Sequence, residues 1–141
     1  MKLNIAITLI AALGLGIAYA DDSMGGGSSS GTLPSPSTKM GVTFDADIKP
    51  IFDASCMPCH SSTGPKKPRG GLALDSLAGA LKGGKDGKVI TVGDSAHSDL
   101  VLSVAHVGDD PDDFMPKGKK AKQLTPDQVA LIRAWIDQGA K

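Results

Sequence analysis

Glutamate is missing from this chain, and aromatic side chains nearly are. All fifteen acidic residues are aspartates; Phe occurs three times, and Trp135 and Tyr19 are each the single example of their kind. So thin a stock of large apolar groups excludes a self-sufficient core. A domain of this size buries only about 60–70% of the surface its unfolded chain exposes, and such domains usually rely on a disulfide, a metal or a large bound group. Cysteine is scarce too: the two present, Cys56 and Cys59, exclude a framework of several disulfides. Neither sign of charge prevails. Fifteen basic residues balance fifteen acidic ones, which removes any whole-molecule argument for nucleic-acid binding. The chain shows no phosphate-binding loop, no Ser/His/Asp arrangement, no paired carboxylates in a catalytic setting and no internal repeat. No residue is therefore assigned a catalytic role.

The one long apolar run lies at the N-terminus. Lys2 precedes a stretch from Leu3 to Ala18 broken by Asn4, Thr8 and small residues; Ala18-Tyr19-Ala20 is a small-x-small site, and Asp21-Asp22 follow. This is the pattern of a secretory signal peptide over residues 1–20, cleaved after Ala20. The run is shorter than the roughly 20 residues that span a bilayer comfortably, so a retained anchor is the weaker reading. A periplasmic or otherwise exported location is expected. Residues 21–40 are dominated by Gly, Ser, Pro and Thr, with too little apolar surface to offset chain entropy, and read as a flexible linker. The folded domain is expected over residues 41–141.

Helical signals prevail within it. Phe44, Ile48, Ile51 and Phe52 recur at helical spacing, and Pro50 requires either a kink or a helix that starts near it, with Asp47 as cap. A short helix is expected after Asp75-Ser76, ending at Gly83-Gly84. Another is expected after Ser98, carrying Leu100, Val101, Leu102 and Val104. Lys88 to Val92 reads as a brief extended piece between glycines. The strongest helix is the last. Thr125 is a natural N-cap, Pro126 suits the first position, Gln128 completes a capping box, and Val129, Ile132 and Ile136 form a stripe flanked by Leu131 and Trp135, with Gly139 as the stop. The class is all-α with long Gly/Pro loops.

Cys56-Met57-Pro58-Cys59-His60 is a C-x-x-C-H run, the attachment sequence of c-type haem. Two thiols three positions apart can form thioethers with the two vinyl groups on one porphyrin edge, and the next residue, His60, then lies where its imidazole reaches the iron. A single covalent haem c would supply the missing core. The competing chemistries fit less well. A thioredoxin-like redox pair expects a βαβ context. A plain disulfide leaves His60 accidental. A zinc site needs further ligands, and only His97 and His106 are available far downstream. For the sixth iron ligand Met115 is the foremost candidate, in a polar loop between Phe114 and Pro116 where a core Met would not lie. Met40 and Met57 are too close to the motif to reach the far face; His97 and His106 are the competitors. A thioether favours reduced iron and raises the potential, whereas a second imidazole lowers it.

Three further runs complete a pattern: Ile48-Lys49-Pro50-Ile51-Phe52 before the motif, Gly70-Gly71-Leu72 with Leu74-Asp75-Ser76 after it, and Gly93 with Ser98 and Leu100. Met115-Pro116, Leu124-Thr125 and Trp135-Ile136 with Gly139-Ala140 follow. Over nearly the whole domain this resembles the planctomycete-type branch of the cytochrome c family. The resemblance implies a cytochrome c fold, His60 and Met115 as axial ligands, and electron transfer. One departure is Lys117, where such domains often carry a second Pro, which bears on the stiffness of the Met115 loop.

Two basic runs accompany the site in sequence: Lys66, Lys67 and Arg69 after His60, and Lys117, Lys119, Lys120 and Lys122 after Met115. They are solvated loop charge or a rim that steers an acidic redox partner. Asp109, Asp110, Asp112 and Asp113 precede Met115 without an EF-hand pattern and read as solvated. Phe52, Phe114 and Trp135 are expected against the porphyrin or between helices. Gly70 and Gly71 would let backbone come close to it. The function expected is that of an electron carrier, not an enzyme, exchanging single electrons with partner proteins outside the cytoplasm. The alternative is a haem enzyme or gas or peroxide sensor whose sixth ligand is displaced.

Overall fold

The structure, a computed structural model, describes residues 31–118 and 121–141. The expected signal peptide, residues 21–30 of the expected linker, Lys119 and Lys120 lie outside the described residues. Within them the chain forms α1 (Lys49–Ser55), α2 (Met57–His60), α3 (Leu77–Lys82), α4 (Asp99–Ala105) and α5 (Pro126–Asp137). A π-helical turn, Phe44–Ile48, leads into α1, and three single 3-10 turns punctuate the loops. There is no strand among the described residues, only an isolated bridge between Gly84 and Gly87, so the domain is all-helical.

Much of the core forms where the first helical turn meets the last helix. At the start of α5 the Thr125 hydroxyl accepts from the Gln128 N–H at 3.2 Å, and the Gln128 side chain accepts from the Thr125 N–H at 2.9 Å. This reciprocal cap satisfies two of the orphan donors that every helix N-terminus leaves. Val129, Ile132, Trp135 and Ile136 are buried on the inner face. The indole N–H of Trp135 donates to the Lys141 carbonyl at 3.0 Å, and the same carbonyl accepts from the Phe44 N–H at 2.8 Å. Phe44 then lies against Trp135 at 5.8 Å and edge-on to Phe52 at 6.2 Å. One carbonyl near the C-terminus thus locks the first helical turn to the last helix.

Pro50 is the second residue of α1, so of the two alternatives the helix starts near it. Two local expectations change. Asp47 does not cap α1: its carboxylate turns back to accept from the Thr43 N–H at 2.9 Å and pairs with Lys39, because the π-helical turn brings those donors to it first. Lys88 to Val92 is irregular. The Val89 carbonyl accepts from the Leu100 N–H at 2.9 Å, a helix-start donor, and no partner strand is present among the described residues. α3 and α4 occupy the expected places. Ser76 caps α3 through the Gly79 N–H at 3.1 Å. The Ser98 hydroxyl is buried and serves the preceding loop, accepting from Thr91 N–H at 2.9 Å and donating to the Asp94 carbonyl at 2.8 Å.

Contacts of the domain begin before residue 41. Leu33 touches the core, the Ser37 N–H donates to the Ala130 carbonyl at 2.9 Å, and Gln138 donates to the Lys39 carbonyl at 2.7 Å. The Arg133 guanidinium reaches the Pro34 carbonyl. Polar side chains of α5 hold this segment where its own apolar area is small.

Candidate functional site

The C-x-x-C-H run is held helically. Cys56 N–H donates to the Phe52 carbonyl at 2.7 Å, continuing α1, and His60 N–H donates to the Cys56 carbonyl at 2.9 Å. Cys56, Cys59 and His60 all line one cavity of about 900 Å³. That is at the upper end of the roughly 300–1,000 Å³ usual for small-molecule and cofactor sites. Leu72, Leu74, Leu100, Val104 and Phe114 supply much of its apolar wall. The two cysteines are free thiols, not a disulfide. Burial pushes the Cys56 thiol up to about 11, and the neighbouring Cys59 adds to the shift. A raised thiol is the reverse of a thioredoxin-type nucleophile, which needs a depressed one. No group of three or more His, Cys or Asp side chains able to hold a metal ion occurs among the described residues.

His60 is oriented by backbone. Its Nδ1 lies 3.0 Å from the Leu72 carbonyl. A carbonyl only accepts, so Nδ1 carries the proton and Nε2 keeps its lone pair for a metal. The Leu74 N–H returns a bond to the His60 carbonyl at 2.8 Å, so the two segments grip each other. Gly70 and Gly71 turn the chain toward this contact with φ of 60° and 70°. Gly84 approaches so closely that a Cβ there would lie 2.6 Å from the Gly70 carbonyl oxygen. The loop after His60 is gathered by Asp75, whose carboxylate accepts from Ser61 Oγ at 3.0 Å, Ser62 N–H at 2.6 Å and Thr63 N–H at 3.3 Å. The Ser62 hydroxyl bond does most to hold the Asp75 carboxyl below its ordinary range, and the backbone N–H bonds add to it.

Met115 lines the same cavity. Its N–H donates to the Ser103 carbonyl of α4 at 3.0 Å, and its carbonyl lies 3.0 Å from His106 Nε2. The other sequence candidates are elsewhere. His97 is 81% exposed and pairs with Asp94 at 2.8 Å, and neither His97 nor His106 lines the cavity. Met40 is 80% exposed, and Met57 is packed against the core away from the cavity. Phe52 and Trp135 are core between helices, whereas Phe114 faces the cavity. Lys117, Lys122 and Arg69 lie at its rim with Asp109, Asp110 and Asp113; Lys66 and Lys67 are exposed in the loop beyond His60 and do not line it.

The donor set suits a covalent haem: two cysteines, an imidazole whose Nδ1 is held by a carbonyl, and a thioether, around a largely apolar cavity. Sequence reasoning missed three contributors. The Leu72 and Ser103 carbonyls carry no signature, since every residue has one. Asp75 was visible only as a helix-start residue.

Residues 56–118 match the family described as Planctomycete cytochrome C. A curated relative, hydrazine synthase subunit alpha of Kuenenia stuttgartiensis, is 32% identical over 123 residues, a match that covers 71% of this chain. The chain spans about 15% of that subunit's length. No solved structure matches.

Proposed function

We propose, from the planctomycete cytochrome c domain that residues 56–118 form, that the chain is a mono-haem c-type electron carrier acting outside the cytoplasm. Cys56 and Cys59 would hold haem c through thioethers, and His60 Nε2 and the Met115 sulfur would bind its iron. The observation that carries this reading is the pairing of His60 and Met115 around one cavity, with His60 Nδ1 already committed to Leu72 at 3.0 Å. When bound, the haem supplies a reversible one-electron centre, which His/Met ligation holds toward the reduced form.

The protein's part is positional. Leu72 fixes the His60 tautomer, and Leu72, Leu74 and Phe114 limit water at the site, which raises the cost of the extra charge on ferric iron. The alternative, a haem enzyme or sensor, needs Met115 to leave the iron. Its two backbone bonds favour the carrier. The hydrazine synthase subunit, of which the chain spans about 15%, carries no activity over to this reading. Export rests on the sequence of residues 1–20. Among the described residues no helix is long and apolar enough to cross a membrane. The partner proposed is an acidic redox protein docking near Lys66, Lys67, Lys117, Lys119 and Lys120; of these Lys117 lines the cavity, with Arg69 and Lys122 and beside Asp109, Asp110 and Asp113.

The test is expression in a host competent for haem maturation. Pigment that survives acid-acetone extraction, a reversible one-electron titration and a ferrous spectrum unmoved by carbon monoxide are expected. A colourless product would end the proposal. Ready binding of carbon monoxide would replace the carrier by the alternative.

A further inference from the structure

We propose that His106 is a positioning residue that presents Met115 to the iron. The inference rests on the reading of Met115 as sixth ligand, and three observations carry it.

The first is backbone. α4 ends in a Schellman-type turn: Val107 N–H donates to the Leu102 carbonyl at 2.9 Å and His106 N–H to the Ser103 carbonyl at 3.4 Å. His106 takes the left-handed position of that turn, at φ 56° and ψ 44°. Glycine is the usual occupant, because a Cβ is disfavoured there. A histidine in that place points to use of its side chain. The second observation is that use: Nε2 lies 3.0 Å from the Met115 carbonyl oxygen. The acceptor requires the proton on Nε2. The third is the ring, which stacks on Phe114 at 4.9 Å and 5° between planes, so the donor is aimed by its neighbour in the same loop.

Together with the bond from the Met115 N–H to the Ser103 carbonyl at 3.0 Å, this fixes the peptide groups on both sides of the Met115 Cα. Only the side-chain torsions of Met115 remain to be set. His106 and Ser103 both belong to the end of α4, so one helix terminus supplies both anchors. The same arrangement removes His106 as an iron ligand through Nε2, because that nitrogen is committed to holding its competitor.

The test uses ferric holoprotein and two variants. H106G suits the left-handed backbone and keeps the helix end while removing the donor. H106Q restores an amide N–H at similar reach. The readouts are the long-wavelength sulfur-to-iron absorption band and a titration with free imidazole, which displaces sulfur from the iron. In H106G, imidazole should displace Met115 about five-fold more readily, the equivalent of one neutral hydrogen bond. Thermal stability should hold or rise, and H106Q should return toward the wild type. A purely structural helix-end role predicts no change in the titration. The proposal is overturned if H106G titrates like the wild type or if H106Q is as weak as H106G. A wild-type protein without the sulfur band would overturn the ligand reading itself, a separate result.

Discussion

One ring nitrogen of His60 has a fixed partner in the fold. Nδ1 is spoken for by Leu72, and the segment carrying Leu72 is itself tied to His60 through Leu74. The weak point is the loop that follows, where Ser61, Ser62 and Thr63 have little packing and all donate to one carboxylate, Asp75. Those donors stabilise the charged form, so the folded Asp75 titrates below an unfolded aspartate. A depressed carboxyl contributes stability that is fully present above the unfolded pKa and is lost as pH falls through the folded one. Thermal melts of the holoprotein should therefore drop in acid below the ordinary carboxylate range. Asp47 and Asp94 are depressed as well, the first mainly by Lys39 and the second mainly by His97, so three carboxylates share the loss. D75N should lower the melting temperature at neutral pH and flatten part of the acid decline. An acid decline as steep as that of the wild type would show that Asp75 gathers nothing.

Elements differ in how much of their stability is local. α5 carries its own start signal, and T125A removes the hydroxyl that accepts from the Gln128 N–H. The expected cost is about 1 kcal/mol, a fall in melting temperature of about 4–8 °C for a domain of this size, with the haem spectrum unchanged. A melt within error of the wild type would mean that packing alone sets this helix. That local completeness is why α5 was legible residue by residue, from Thr125 as cap to Trp135 on the stripe. α3 was legible for the same reason, since Ser76 caps it, whereas α4 was legible from its apolar run alone, because the Ser98 hydroxyl serves the preceding loop. Asp47 was misread because its partners, Lys39 and Thr43, lie upstream in segments that show no helical period. Lys88 to Val92 was misread because glycines and β-branched residues imitate a strand, while the pairing that makes a strand is non-local. At the site, spacing marked Cys56, Cys59 and His60, and an out-of-place Met marked Met115. What aims them is backbone carbonyl and one left-handed histidine, which only the folded chain can show.

On the scale of the molecule, net charge is zero, so any steering of a partner must come from where the charges sit. Arg69, Lys117 and Lys122 are at the cavity rim. Reversing Lys117 and Lys122 to Asp should slow electron exchange with an acidic partner mainly at low salt, and the difference should fade as the Debye length shrinks to about 10 Å at 0.1 M. Equal rates at every ionic strength would assign those lysines to solvation.

The cavity also bears on whether the fold can exist without its cofactor. Without a bound group the apolar part of its wall, Leu72, Leu74, Leu100 and Val104 among it, faces water, and a domain has only about 5–15 kcal/mol of net stability to offset such exposure. Leu74, and Leu100 and Val104 of α4, belong to the same buried cluster as Phe44, Phe52 and Trp135, and Leu72 and Met115 pack against it, so wetting the cavity wall loosens the core itself. The chain with both Cys56 and Cys59 changed to Ala, produced without haem attachment, should retain helical circular dichroism near α5 at most and lack a cooperative thermal transition. A sharp two-state melt in that variant would show that the loops close on themselves, and that the bound group is a passenger in a core already complete.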